Sequence, residues 1–251
     1  MDITVFSIVV AVVLGLAVLW WVLRHGKGTT SSMGIFRKRN KYLLVGLCNS
    51  GKTQLLLKLS GRDVPPSTVT SMQPNELPVD IDGGSIMVTD FPGHRRLRDG
   101  MFPFLQEAKK LIIAVDSLTI QDKENGAAAV CPLLVAILES PACRGVQTIL
   151  VACTKRDVIT SFSSKAVRRQ LESEMTQLLS NQAGGVKKLE GPVTKRKTHQ
   201  DENDDERDVT LFLRDDGKFS FDDVPIPVAF ADCTAVADSP GIAAVVEFLS
   251  T

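Results

Sequence analysis

An eight-residue stretch, Gly46 to Thr53 (GLCNSGKT), constrains the fold of this chain more than any other feature. It directly follows the apolar run YLLV, residues 42–45, and matches the pattern GxxxxGK(S/T). A strand that ends in this pattern and passes into a helix turns successive backbone N–H groups toward one point, where a lysine and a hydroxyl group join them. The stretch therefore predicts a phosphate-binding loop between a strand and a helix. Its predicted binding residues are Gly46, Asn49, Ser50, Gly51, Lys52, Thr53 and Gln54.

Strand-like apolar runs alternate with helical patterns from about residue 36 to the end of the chain. The runs are YLLVGL, SIMVTD, LIIAVD, TILVAC and IPVAFADC, and a helical pattern follows each of them, including one at 52–59 and a polar one at about 95–109. Such alternation predicts a mostly parallel sheet with helices on both faces. The segment ELPVDIDGGSIMVTD adds a hairpin around Asp-Gly-Gly, which predicts one antiparallel edge strand. The predicted fold class is therefore α/β.

The N-terminal segment is a long uncharged apolar run. Residues 3–23 contain no charged side chain, and about 20 apolar residues suffice to cross a bilayer. Trp20 and Trp21 lie near the end of this run and basic residues follow it, whereas Asp2 precedes it. These features predict a transmembrane anchor over residues 1–24, with all that follows in the cytosol; a cleaved signal peptide is the alternative. Residues 25–35 are then a juxtamembrane linker, and residues 36–251 are the folded domain.

Composition gives no sign of a nucleic-acid partner and reveals one charged insertion. The chain has 29 basic and 29 acidic residues, and a net charge of zero gives no reason to expect direct binding of nucleic acid. Its five cysteines show no CxxC spacing, which indicates reduced thiols in a cytosolic domain. Residues 184–208 join a basic block to an acidic block with almost no apolar side chains, which predicts a solvated loop. This insertion is either a docking tail for a partner or an idle surface loop.

Three further short motifs end strand-like runs. Asp90 begins DFPGH, in which the acidic residue can hold Mg²⁺ and Gly93 can offer its N–H group to a terminal phosphate. In TKRD, residues 154–157, Asp157 can accept hydrogen bonds from guanine N1–H and N2–H₂ while the Lys155 stem covers the ring. Adenine lacks that pair of donors, so the motif favours GTP over ATP. The last motif is Cys233, Thr234 and Ala235, where a backbone N–H group can meet guanine O6.

These motifs together identify residues 36–251 as resembling the small GTPase superfamily. The apolar span before the domain, the segment STVTS and the histidine-ended DFPGH are most similar to the β-subunits of the signal recognition particle receptor. The resemblance implies a P-loop GTPase fold with GTP and Mg²⁺ as ligands. It also implies that Thr70, or alternatively Thr68, is the switch I threonine, that Asp90 to about Met101 form switch II, and that His94 orients the attacking water. The implied metal ligands are Thr53, Thr70 and Asp90.

The same resemblance implies a partner and a location. A β-subunit anchored through residues 3–23 would recruit the α-subunit of the receptor to the endoplasmic reticulum membrane for cotranslational protein targeting, with the GTPase domain in the cytosol. An Arf- or Sar-like cycling GTPase in coat assembly is one alternative, although such proteins attach through amphipathic helices or acyl chains. A scaffold that holds GTP without hydrolysing it is another, because intrinsic hydrolysis in this superfamily is slow without an arginine supplied in trans.

Some positions depart from the superfamily pattern. Thr154 stands where asparagine is commonest, and its shorter reach toward the phosphate-binding loop predicts somewhat looser nucleotide binding. Val236 replaces a usual lysine, which matters little because the backbone makes that contact. Arg95, Arg96 and Arg98 follow the histidine of DFPGH and are interpreted as a solvated helix face or a partner-binding surface.

Overall fold

The computed structural model describes residues 41–65, 67–81, 84–188, 213–214, 216–236 and 241–251, with side chains described only to residue 182 in the helix that ends at 188. The predicted anchor (1–24), the linker (25–35) and residues 189–208 of the charged insertion lie outside these ranges. Within the described ranges, no helix combines the length and the apolar character needed to cross a membrane.

A six-stranded sheet forms the centre of the described domain. Its strands in chain order are β1 (Lys41–Gly46), β2 (Asn75–Ile81), β3 (Gly84–Asp90), β4 (Ala108–Asp116), β5 (Thr148–Thr154) and β6 (Val228–Asp232). They lie in the order β2-β3-β1-β4-β5-β6, with β2 antiparallel to β3 and the other neighbouring pairs parallel. Pro78 is tolerated in β2 because an edge strand leaves one row of N–H groups unpaired. The prediction of a mostly parallel sheet with one antiparallel edge strand is confirmed.

Helices cover both faces of this sheet, as predicted. The α-helices of the described residues are α1 (Lys52–Leu59), α2 (Phe102–Glu107), α3 (Ala127–Glu139), α4 (Ser164–Lys188) and α5 (Ala243–Ser250). Short 3₁₀ helices lie at Arg95–Met101, Pro141–Gly145 and Phe221–Asp223. On one face, α1 and α5 bury side chains such as Leu55 and Val245 against the sheet. On the other face, α2, α3 and α4 bury Leu105, Leu134 and Leu171.

The central strands supply both cores, because successive side chains of a strand point to opposite faces of the sheet. In β4, Leu111 and Ile113 belong to the core that contains α3 and α4, whereas Ile112 and Ala114 belong to the core that contains α1 and α5. All four residues are at most 1% exposed. A strand buried on both faces must be apolar throughout, which is why the central runs of the sequence are continuous rather than alternating.

Two predicted boundaries differ from the structure. The helical pattern at 95–109 consists of a 3₁₀ helix followed by the short α2, and β4 already begins at Ala108. The strand therefore contains Lys110, which is buried and whose Nζ donates a hydrogen bond to the Phe248 carbonyl at 2.5 Å. At the other boundary, α4 continues to Lys188, so residues 184–188 of the predicted loop insertion are helical.

The five cysteines all carry free thiols, as the sequence indicated. Cys48 is exposed in the predicted phosphate-binding loop, and the other four are buried. Burial raises the pKa of Cys131 and of Cys233 to about 12, because a thiolate loses its hydration in the core. These buried thiols are therefore protonated and act as small apolar side chains.

Candidate nucleotide-binding site

The loops after β1, β3, β5 and β6 lie at one edge of the sheet, because the carboxyl ends of parallel strands share an edge. Together with the segment between α1 and β2, they line an open cavity of about 650 Å³. A cavity of this volume suits a small-molecule ligand of nucleotide size. The sequence-predicted residues that line it are Asn49, Gly51, Lys52, Thr53, Gln54, Thr68, Thr70, Gly93, Thr154, Lys155, Asp157 and Ala235. The other predicted site residues, which are Gly46, Ser50, Asp90, His94, Cys233 and Thr234, are not part of the wall of the cavity in the described structure.

Two glycines let the phosphate loop, residues 46–53, approach its neighbours closely. A Cβ atom on Gly46 would lie 2.3 Å from the Ala114 carbonyl oxygen of β4, and the φ of +150° at Gly46 is rare for other residues. A Cβ atom on Gly93 would lie 2.6 Å from Cys48 N and from Gly46 O. Both separations are far below van der Waals contact, so glycine is required at both positions. The segment after β3 therefore packs directly on the backbone of the phosphate loop.

Lys52 is buried in the phosphate loop, with only 7% of its surface exposed. Its Nζ donates a hydrogen bond to the Leu47 carbonyl at 2.7 Å, and Ser50 Oγ donates to the same carbonyl at 2.9 Å. Burial lowers the pKa of Lys52 because the ammonium loses hydration, while the charge of Asp90 opposes that shift. A cation that is buried against a neutral carbonyl is poorly compensated, and an anionic phosphate would supply the missing charge.

Thr53 and Asp90 meet where α1 begins and β3 ends. Thr53 Oγ1 donates a hydrogen bond to Asp90 Oδ2 at 2.6 Å. Asp90 is completely buried, and its other oxygen, Oδ1, has no hydrogen-bond partner among the described residues. Burial raises the pKa of Asp90, although the Thr53 hydrogen bond and the Lys52 charge oppose this. A carboxylate with an orphaned oxygen beside a hydroxyl group is the hard oxygen donor set that Mg²⁺ prefers, so these residues fit that ion.

The segment between α1 and β2 contains both predicted switch I threonines. Thr68 and Thr70 are exposed and line the cavity. The hydroxyl group of this segment that reaches Thr53 in the described structure is that of Ser71, whose Oγ lies 3.4 Å from Thr53 Oγ1. Ser71 therefore joins the two threonines as a possible oxygen donor near Thr53.

Thr154, the last residue of β5, ties the phosphate loop to the sheet. Its Oγ1 lies 2.9 Å from the Ser50 carbonyl oxygen and 3.0 Å from the Val115 carbonyl oxygen, so two acceptors share one hydroxyl proton. The side chain is only 3% exposed. The short reach expected of this threonine is not observed, because the phosphate loop packs directly on the end of β5 and brings its backbone within hydrogen-bond distance.

Lys155 and Asp157 are each oriented by a second side chain. Lys155 Nζ lies 2.7 Å from Asp116 Oδ2, at the end of β4. Asp157 is exposed at the cavity, and its Oδ1 accepts a hydrogen bond from Thr234 Oγ1 at 2.7 Å. A carboxylate oxygen can accept more than one hydrogen bond. Asp157 is therefore held in one orientation and keeps acceptor capacity for a ligand.

The segment 233–235 has already used two of its three backbone N–H groups. Cys233 N donates to Cys153 O at 2.8 Å, and Thr234 N donates to Gly241 O at 3.0 Å. Ala235 lines the cavity, and among the described residues its N–H group donates to no backbone carbonyl group. The predicted contact between this segment and a base oxygen therefore falls to Ala235.

His94 caps the 3₁₀ helix that starts one residue later. Its Nδ1 accepts a hydrogen bond from Arg96 N at 3.3 Å. An imidazole nitrogen that accepts carries no proton, so the proton of the neutral ring lies on Nε2. The ring is absent from the described wall of the cavity, and its water-orienting role stays a prediction.

The three arginines after His94 differ in burial. Arg95 and Arg96 are exposed, as interpreted from the sequence. Arg98 is half-buried and its Nε atom is fully covered, so the interpretation as a solvated face is wrong for this residue. Residues three apart share a face of a 3₁₀ helix. The row formed by Arg95, Arg98 and Met101 passes from the exposed surface to the core, where Met101 is 2% exposed.

Three groups that shape the site were not singled out in the sequence. They are the Asp116 carboxylate, the Ser71 hydroxyl group and the Leu47 carbonyl group. Asp116 was predictable, because it ends the run LIIAVD at the same edge of the sheet as the other motifs. A loop serine and a backbone carbonyl leave no comparable signal in a sequence.

Comparison with known proteins agrees with this geometry. The family model described as "Signal recognition particle receptor beta subunit" matches residues 37–228. The human protein "Signal recognition particle receptor subunit beta" is 29% identical over 241 residues, which cover 93% of this chain and 79% of the human protein.

Solved structures support the same relationship. "The Structure of the Mammalian SRP Receptor" is similar with a TM-score of 0.63 and 26% identity, covering 84% of this chain and 98% of that one. The chain in the "SRb-GTP/SRX complex from Chaetomium thermophilum" gives a TM-score of 0.62 at 16% identity over 84% of this chain and 96% of its own, and this likeness shows the fold alone. The family model spans most of the sheet and its helices, and the chain therefore belongs to the family of signal recognition particle receptor beta subunits.

Proposed function

We propose that this protein is a membrane-anchored GTP-binding switch that recruits the α-subunit of the signal recognition particle receptor to the endoplasmic reticulum for cotranslational protein targeting. One observation carries the proposal: a phosphate loop and a carboxylate suited to guanine converge on one cavity of about 650 Å³. Membership of the receptor β-subunit family supports it and disfavours an Arf- or Sar-like role in coat assembly. Intrinsic GTP hydrolysis is expected to be slow.

The triphosphate and Mg²⁺ belong at the phosphate loop. The Lys52 ammonium would exchange its Leu47 carbonyl acceptor for phosphate oxygens, which compensate its buried charge better. Thr53 and Asp90 would hold Mg²⁺, with Thr70 or alternatively Thr68 as the switch I ligand. Bound Mg²⁺ neutralises part of the phosphate charge. Solved relatives described as SRb-GTP and as SRb-GDP-Mg support these two ligands.

The guanine base belongs between the loops that follow β5 and β6. Asp157, held by Thr234, would accept from guanine N1–H and N2–H₂, and the Lys155 stem would cover the ring while Asp116 holds its ammonium. The Ala235 N–H group would donate to guanine O6. Adenine carries an amino group at that position and lacks the paired donors, so ATP loses these contacts and leaves polar groups unpaired.

The switch acts through the two segments that flank the phosphates. Residues 67–71 and the segment after β3 both contribute to the cavity wall, so a γ-phosphate would bind both and favour one arrangement of their surfaces. The receptor α-subunit would bind to that arrangement of the two surfaces. The predicted anchor, residues 1–24, would hold the complex at the membrane. The solved complex of an SRb protein with SRX supports a protein partner for this domain.

Nucleotide selection is the first test. The purified chain in detergent, freed of bound nucleotide, is titrated with fluorescent GTP, GDP and ATP, with and without Mg²⁺. We expect tight binding of both guanine nucleotides that weakens without Mg²⁺, and no comparable binding of ATP. Equal affinity for GTP and ATP would contradict the guanine site.

Partner capture tests the second half of the proposal. Immobilised chain, either loaded with a non-hydrolysable GTP analogue or left nucleotide-free, is incubated with the receptor α-subunit. We expect retention by the loaded form only. Equal retention by both forms would contradict a nucleotide-dependent interaction. Retention by neither form would contradict the α-subunit as the partner.

A further inference from the structure

Arg98 is a half-buried cation without a counterion in the described structure. Its Nε atom is fully covered and forms no hydrogen bond, and no carboxylate of the described residues pairs with its guanidinium group. Buried charged groups in proteins are almost always paired, because removing them from water costs free energy that a partner must offset. A guanidinium group without a protein partner at such a position is free to bind an anionic ligand.

The strongest neighbouring charge that acts on Arg98 is that of Arg95, which repels it, and the opposing effect of Cys48 is smaller. Arg98 and Lys52 lie close enough for their charges to interact, and Arg95 adds a third positive charge. Burial lowers the pKa of Arg98 and the Arg95 charge lowers it further, yet a guanidinium stays protonated in proteins. Three cations therefore lie near the phosphate loop, where the charge of Asp90 acts on Lys52, and an anion bound there would add to that compensation.

The backbone holds Arg98 near the phosphate loop. The segment begins at Gly93, which packs on Cys48 and Gly46 of that loop so closely that a Cβ atom would overlap them. The 3₁₀ helix then starts at once, with Leu97 N bonded to the His94 carbonyl at 2.9 Å. Within this helix, Arg98 follows Gly93 by five residues. At the other end of the helix, Met101 is anchored in the core.

We propose that Arg98 binds the terminal phosphate of the nucleotide and thereby makes this domain prefer GTP over GDP. The inference rests on the proposed function, because it needs a guanine nucleotide in the cavity. Lys52 would bind a phosphate that both nucleotides have. Arg98 lies outside the cavity wall in the described structure, on the segment whose Gly93 lines it, and would reach the terminal phosphate when GTP is bound. A planar guanidinium with five N–H donors suits a phosphate oxygen pair, and the compensated charge stabilises the switch segment when GTP is bound.

The test compares two affinities in each of four full-length proteins in detergent: wild type, Arg98→Ala, Arg98→Lys and Arg96→Ala. Affinities for GDP and for a non-hydrolysable GTP analogue are measured with Mg²⁺ present. Arg96→Ala is the matched control, because it removes an exposed arginine from the same 3₁₀ helix. The ratio of the two affinities cancels any general loss of folded protein.

For Arg98→Ala we expect the affinity for the GTP analogue to fall about tenfold or more, as for the loss of a hydrogen bond to a charged group, while that for GDP changes less than about threefold. The affinity of Arg98→Lys for the GTP analogue should lie between those of wild type and Arg98→Ala, since lysine keeps the positive charge but lacks the planar set of N–H donors. Arg96→Ala should keep the wild-type ratio. An unchanged ratio in Arg98→Ala, or an equal loss for both nucleotides, overturns the inference while the guanine site stands. A wild-type protein that binds neither nucleotide overturns the proposed function and this inference with it.

Discussion

Replacing Thr154 by valine removes one hydroxyl group at the junction of β4, β5 and the phosphate loop and leaves the shape of the side chain unchanged. The lost proton is shared by the Ser50 and Val115 carbonyl oxygens, at 2.9 and 3.0 Å. Thr154 is only 3% exposed, so water does not replace the donor. Leaving a buried acceptor without a donor costs about 1–3 kcal/mol, and we expect the free energy of unfolding to fall by that amount.

Two assays measure this effect. The unfolding midpoint of the nucleotide-free protein should fall by about 2–4 °C for each kcal/mol, as for a domain of roughly 200 residues. Release of fluorescent GDP should also accelerate. The rate should rise by about tenfold for each 1.4 kcal/mol of free energy by which the bond from Thr154 to Ser50 stabilises the phosphate loop. The unfolding midpoint measures the loss of both hydrogen bonds of Thr154. The GDP release rate measures mainly the loss of the bond to the Ser50 carbonyl group of the phosphate loop.

The same strand offers a matched control. Thr148 is the first residue of β5, and its Oγ1 is buried without a hydrogen-bond partner among the described residues. Thr148→Val removes an unsatisfied hydroxyl group, so it should leave stability unchanged or raise it and should not affect GDP release. If Thr154→Val proves no more destabilising than Thr148→Val and releases GDP at the wild-type rate, the Thr154 hydroxyl group does not hold the phosphate loop.

Three further changes test other parts of the site. Asp157→Asn exchanges an acceptor for a donor and should shift preference from GTP toward XTP, and unchanged selectivity in competition binding would refute the guanine assignment. Gly93→Ala places a Cβ atom 2.6 Å from the backbone of the phosphate loop, so it should reduce nucleotide affinity and lower the free energy of unfolding by about 1–3 kcal/mol. The control Gly84→Ala places its Cβ atom in open space and should change neither quantity. Because burial raises the pKa of Asp90, folding without ligands disfavours its carboxylate, so Asp90→Asn should unfold at a midpoint equal to or above that of wild type. This margin should grow as the pH rises from 3.8 to the raised pKa of the folded protein, and it should stay constant at higher pH. The same variant should lose the Mg²⁺-dependent tightening of GDP binding, and a retained Mg²⁺ effect would exclude Asp90 as a metal ligand.

Local sequence patterns determined the fold and the location of the site. Continuous apolar runs such as 111–115 predict strands buried on both faces, and the two glycines of the phosphate loop predict a tight turn before α1. Asp90, Thr154 and Asp157 were predictable as site residues because each lies at or just beyond the carboxyl end of a strand, and parallel strands bring those ends together. These inferences need only the chain order of short motifs.

The tertiary structure decided which polar groups meet. The bond from Thr154 to Ser50 joins residues 104 positions apart, and the bond from Thr234 to Asp157 joins residues 77 apart. The approach of β5 to the phosphate loop sets the first distance, which is why the reach of a threonine could not be judged from its length alone. The burial of Arg98 beside exposed Arg95 has the same origin, because the exposure of a side chain depends on what packs against its helix. A sequence states which charges are present, and only the packing of distant segments decides which of them lack a partner.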